Sequence, residues 1–180
     1  MGLLLSVASV CVPEPIRRRK LEMLVRATAD AFQTVPPSTS GLSADECLTM
    51  YARFTREEAD RSIRRGNEVE VRSRLFENSL RMGQELRRQF RLRDADVMRM
   101  GALVYKMMSI DFQGEPDGDI TIRRCFFSDF YSSPVCNLIS SLDEGLLVGL
   151  AGGGRLSFSQ RITLGHECCR AHFDMDRTAK

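Results

Sequence analysis

Residues 155–173 read RLSFSQRITLGHECCRAHF, and the period of this stretch decides the fold class. Leu156, Phe158, Gln160 and Ile162 recur at every second position. So do Cys169, Ala171 and Phe173, with Met175 continuing the series. A side-chain period of two belongs to a half-buried strand and not to a helix. The two runs are separated by Gly165 and His166, so they read as a hairpin. On its second strand Cys168, Arg170, His172 and Asp174 share the face opposite Cys169.

Working upstream, AGGG at 151–154 is a helix stop signal. It closes SPVCNLISSLDEGLLVGL (133–150), where Val135, Ile139, Leu142 and Leu146 stand at helical spacing. ITIRRCFF (120–127), β-branched and aromatic, predicts a strand after the turn cluster QGEPDGD. The C-terminal half therefore reads β-α-β-β.

From Pro15 to about Phe112 the period is helical. Leu21, Leu24, Val25, Ala29 and Phe32 mark a first helix, followed by the linker VPPSTSG. Ser43 with Glu46, and Thr55 with Glu58, match the capping-box pattern and predict short helices at Ala44–Phe54 and Arg56–Arg64. Val71, Leu75, Met82, Leu86 and Phe90 mark a long helix with Arg and Glu opposite. Asp94 reads as the N-cap of a further helix carrying Val97, Met100, Val104 and Met108, its methionines taken as core filler. The expected fold is α+β, a helical N-terminal half packed on a small antiparallel sheet. Residues 1–40 form an arm and first helix, and 41–180 a single α+β domain.

The chain has 180 residues, 43% hydrophobic and 28% charged, enough for one domain with a real core. A net charge of +2 makes no electrostatic case for nucleic acid, and the absence of tryptophan offers no evident base-stacking platform. Arg outnumbers Lys 23 to 3, which suggests GC-rich bacterial coding. Cys11, Cys47, Cys125, Cys136, Cys168 and Cys169 are scattered through a chain that needs no staples, so they read as reduced thiols of a cytoplasmic protein. The apolar run Gly2–Val12 is too short to span a bilayer, and no basic residue precedes it. It reads as an arm packed on the body or on a second subunit of a homodimer; the myristoylation pattern of Gly2 with Ser6 is set aside. No membrane partner is expected.

The chain has no P-loop, no GxGxxG after a strand, no HExxH, no GxSxG and no CxxC. No cofactor or metal is therefore expected, although Cys125, Cys136, Cys169 and a histidine remain an alternative metal set. His166 reads as an exposed turn residue, His172 as facing away from Cys169, and Arg123 and Arg124 as surface residues.

CFFSDFYSSPVCNLISSLDEGLLVGLAGGGRLSFSQRITLGHECCRAHF (125–173), with the upstream YARFTREEADRSIRRG, resembles the L-2-amino-thiazoline-4-carboxylic acid hydrolase family over about residues 40–175. The matching features are Cys125, Cys136, Asp143, Arg161 with Thr163 and Leu164, then Gly165 and Cys169. Ser140 stands where the family often has its helix cysteine, Cys168 is an extra thiol, and Ala171 replaces a usual aromatic. The same stretch is also similar to vinyl-reductase-type ligand-binding domains, which implies a non-catalytic small-molecule-binding or accessory module as the alternative.

The first resemblance implies hydrolysis, or a related addition or cyclisation, at a C–N or C–S bond of a small amino-acid-derived heterocycle. A thiolate can attack an amidine-like carbon to form a covalent intermediate that water resolves. Cys169, Cys136 and Cys125 are the candidate nucleophiles, and Asp143 the group that protonates the ring nitrogen or pairs with the amidinium. Arg161 would stabilise the thiolate or clamp a substrate carboxylate. Thr163 and Ser140 complete the expected substrate-binding set. Cys47 and Cys11 are structural candidates.

Overall fold

The computed structural model describes residues 12–175, so Cys11 and all of the apolar arm except Val12 lie outside the described residues. The fold is α+β, with helices first and a four-stranded antiparallel sheet after them. Helices α1 (Glu14–Phe32), α2 (Ala44–Arg65), α3 (Glu68–Phe90) and α4 (Val97–Met107) precede strands β1 (Ile110–Gly114) and β2 (Asp119–Cys125). Two abutting helices, α5 (Ser133–Ile139) and α6 (Ser141–Ala151), lead into strands β3 (Arg155–Gln160) and β4 (Cys169–Asp174). The sheet order is β1-β2-β4-β3.

The hairpin is present, but its first strand ends at Gln160 after a bulge between Phe158 and Gln160, and Ile162 lies in a 3₁₀ turn instead of on the strand's inward face. Cys169, Ala171 and Phe173 are buried while Arg170, His172 and Asp174 are exposed. Ile122 lies opposite Cys169, and Ala171 opposite both Ile120 and Phe158. The exposed face carries the His172 Nδ1–Asp119 Oδ1 pair, 2.8 Å apart and away from the core. The triple glycine also acts as expected, with Gly152 ending α6 at φ 83.

Three expectations in the helical half are corrected. The predicted break at Thr55 does not occur, and α2 is one continuous helix. Thr55 Oγ1 instead donates back to the Tyr51 carbonyl (2.8 Å) and bonds the Tyr131 hydroxyl, so the residue serves the interior of a helix. The helical period stops at Met107, not near Phe112. Ser109 adopts φ 55, which ends the helix and turns the chain into β1, and Phe112 lies on the strand's buried face. Asp94 opens a 3₁₀ turn and pairs with Arg87, while Asp96 is the residue before α4.

The Ser43 capping box is present. Ser43 Oγ accepts from the Glu46 amide at 3.3 Å, and Glu46 Oε2 accepts from the Ser43 amide at 2.9 Å. Loss of such a cap costs about 1 kcal/mol. Ser43→Ala should lower the unfolding free energy by that amount, read as a lower urea midpoint at an unchanged m-value; no shift would show the cap to be energetically idle.

The centre of the fold is the crossing of α3 and α6. Gly145 lies against Phe76 and Ser79, and Gly149 against Leu80, Gly83 and Gln84. Rising residue numbers on one helix meet rising numbers on the other, so the two run alongside in the same direction. The segment Ser133–Ala151 is long and apolar enough, by length and composition, to cross a membrane, with mean hydropathy 1.2. The same composition suits a core helix, and 56% of the segment is buried here.

Candidate functional site

A cavity of about 870 Å³ runs between the helical layer and the inner face of the sheet. All seven residues expected from the sequence to form a site line it: Cys125, Cys136, Ser140, Asp143, Arg161, Thr163 and Cys169. They come from β2, α5, α6, the turn after β3 and the start of β4.

The α5–α6 junction presents the first group. Cys136, Ser140 and Asp143 are spaced four and three residues apart, which puts them along one helix face. Arg161 reaches them as β3 ends. Its Nη1 lies 3.7 Å from Cys136 Sγ, and its Nη2 donates to Ser140 Oγ at 3.1 Å. The guanidinium also lies 3.9 Å above the centre of the Phe158 ring. A planar cation stacked on a ring keeps its N–H edge free for hydrogen bonding. From the opposite side the Tyr105 hydroxyl donates to Asp143 Oδ1 at 2.8 Å. Tyr105 is itself held by stacking on Phe112, with ring centres 4.5 Å apart.

Burial dominates the electrostatics. Asp143 is enclosed by protein although its carboxyl reaches the cavity, and burial pushes its pKa up to about 6 against the opposing pull of the Tyr105 hydrogen bond and the Arg161 charge. A carboxyl poised there exchanges protons near neutral pH. Cys125 is pushed up to about 12, chiefly by burial. Burial also raises Cys169, whose sulfur accepts the Ile162 amide at 3.4 Å. These two thiols are held protonated and make poor nucleophiles. Cys136 is the candidate thiol that a guanidinium touches. The Thr163 hydroxyl Oγ1 is buried and has no hydrogen-bond partner within the protein. Such a group is costly unless a ligand or water satisfies it.

The remaining candidates separate cleanly. Cys47 is buried in the core and His166, Arg123 and Arg124 are exposed, as expected. Among the described residues no three His, Cys, Asp or Glu side chains converge well enough to hold a metal ion. Sequence reasoning missed Tyr105 and Phe158 as the supports of Asp143 and Arg161. An aromatic on an apolar helix or strand face carries no signal that separates such a role from ordinary packing. Met100 is buried in the core and Met108 packs against it, as expected, and both also border the cavity.

No family model matches the chain, and no curated protein matches it.

Proposed function

We propose that this chain is a hydrolase-like enzyme acting on a C–N or C–S bond of a small amidine-bearing, amino-acid-derived substrate. The observation that carries the reading is the Arg161–Cys136 contact facing the same cavity as the half-buried Asp143 carboxyl, whose pKa is raised to about 6. Cys136 Sγ adds to the amidine carbon, and its proton passes to the Asp143 carboxylate. The C=N electron pair moves onto nitrogen, which takes that proton from Asp143. Collapse of the adduct breaks the ring C–N or C–S bond. Water then adds at the same carbon and Cys136 departs, so one water is consumed and nothing is oxidised. Arg161 stabilises the sulfur anion or holds a substrate carboxylate, and the free Thr163 hydroxyl supplies a further polar contact.

Alkylation of the native protein with iodoacetamide, mapped by mass spectrometry, tests this. Cys136 should react at least tenfold faster than Cys125 and Cys169, and Arg161→Gln should slow it by a similar factor. Equal rates for the three thiols, or an Arg161→Gln protein as reactive as wild type, would remove Cys136 as nucleophile. The second reading, a binding module without chemistry, is favoured by the raised pKa values of Cys125 and Cys169 within a largely apolar cavity.

A further inference from the structure

The cavity is much larger than the head group its polar residues suit. At roughly 30 Å³ for each water-sized group, 870 Å³ accommodates roughly 29 non-hydrogen atoms. A heterocyclic amino acid of under ten such atoms would leave most of it empty. Most of the remaining lining is apolar. Because α3 and α6 run alongside in the same sense, with Ser79 beside Gly145, Met82, Leu86 and Phe90 step progressively away from the level of Asp143. At about 1.5 Å per residue, Phe90 lies roughly 16 Å beyond Ser79 along the helix.

Leu103 and Met107 of α4 line the same stretch. Near its far end the cavity is bordered by side chains that leave apolar surface in water: Ile16 is 52% exposed, Met23 55% and Phe90 38%. Methionines line this part because a flexible thioether packs against chains of varying shape. Four exposed polar side chains, Lys20, Arg81, Glu85 and Gln89, also rim this end, whereas the less exposed Arg161, Asp143 and Thr163 gather at the other.

We infer that the ligand of this site is a single-chain anionic amphiphile. Its charged head lies at Arg161, and its extended alkyl chain runs along Met82, Leu86, Leu103 and Met107 toward Phe90. This rests on the reading of the polar end as a small-molecule site and narrows its substrate to an acylated or alkylated form of that head. The charge complementarity of Arg161 orients the ligand, and the apolar stretch sets its length.

The test is a chain-length series of linear carboxylates, from butyrate to dodecanoate, titrated calorimetrically against the full chain. Affinity should rise about fourfold per methylene and level off once the chain outgrows the channel. Bound dodecanoate should also shield Cys136 from iodoacetamide. Dodecanol should bind at least tenfold more weakly than dodecanoate, since it offers Arg161 no charge. Leu86→Trp, checked for folding by circular dichroism, should move the plateau to shorter chains. An affinity that does not change with length, or dodecanol binding as tightly as dodecanoate, would overturn the inference. So would dodecanoate binding only after removal of residues 1–11, which would assign the channel to the chain's own terminus. None of these outcomes alters the alkylation rate of the unliganded protein, so failure of the amphiphile and failure of the Cys136 reading remain distinguishable.

Discussion

Gly149→Ala should destabilise the protein by about 3 kcal/mol, near the upper end of the usual range for overpacking. A methyl group at 149 would stand 2.4 Å from the Leu80 carbonyl oxygen and 2.9 Å from the Gly83 Cα, and both are backbone atoms. No rotamer change relieves such a contact, so α3 and α6 must move apart and loosen the packing around their crossing. Gly145→Ala meets the Phe76 carbonyl oxygen at 2.3 Å and should behave in the same way. The Ser79 hydroxyl beside it can rotate, but the Phe76 backbone cannot. Intrinsic propensity works in the opposite direction, because alanine is favoured over glycine inside a helix by about 1 kcal/mol. The control is Gly101→Ala in α4, where the added methyl would meet Leu147 at 3.5 Å and Phe112 at 3.6 Å, ordinary contact distances. That variant should be neutral or slightly stabilised. Urea unfolding of the three variants decides the matter. Equal midpoints for Gly149→Ala and Gly101→Ala would mean that the close helix crossing is not what limits stability.

Asp143→Asn should make the protein more stable than wild type at pH 8, by at most about 3 kcal/mol, with the gap closing as the pH falls below 4. The folded carboxyl has a pKa of about 6 against an ordinary value of 3.8. Below both values the group is protonated in either state and costs nothing. As the pH rises from about 4 to about 6 the unfolded chain releases its proton while the folded one retains it, and stability falls. Above about 6 the full cost of the buried charge persists. The observed difference will be smaller than the limit, because the carboxylate reaches the cavity and can be partly solvated there. Asparagine keeps an oxygen for the Tyr105 hydroxyl and carries no charge. Urea midpoints of both proteins from pH 3.5 to 8 isolate the group, since other carboxyls cancel in the difference. A flat difference, or one that grows toward acid, would show that Asp143 is not a buried, raised carboxyl. The same substitution removes the proton shuttle of the proposed reaction. A protein that gains stability while losing activity is the signature of a group placed for function against its own solvation.

How far each element could be read from residue order follows from the range of the forces involved. Alternation in Leu156–Phe158 and Cys169–Phe173 is a local property of a sheet with one wet face, and it placed β3, β4 and the inward direction of Cys169, while the bulge before Gln160 and the 3₁₀ turn at Ile162 broke it. The Ser43–Glu46 box worked because its partners are three residues apart. The same pattern at Thr55 and Glu58 misled, since the threonine hydroxyl bonds its own helix and Tyr131, distant in the chain. The strand β1 was missed because Ile110 and Phe112 continue the helical run of α4, and only a left-handed Ser109 and pairing with β2 make them a strand.

The sequence by itself determined the fold class, the inward face of the hairpin and the set of polar side chains that meet at one cavity. Periodicity and caps are written in neighbouring residues, and the remaining candidates came from a likeness of pattern. Tertiary structure alone decided which thiol lies against Arg161, how far burial raises Asp143, and which methionines of α3 and α4 border the cavity as well as the core. Those quantities depend on distance and solvation between segments far apart in the chain, and no local spacing encodes them.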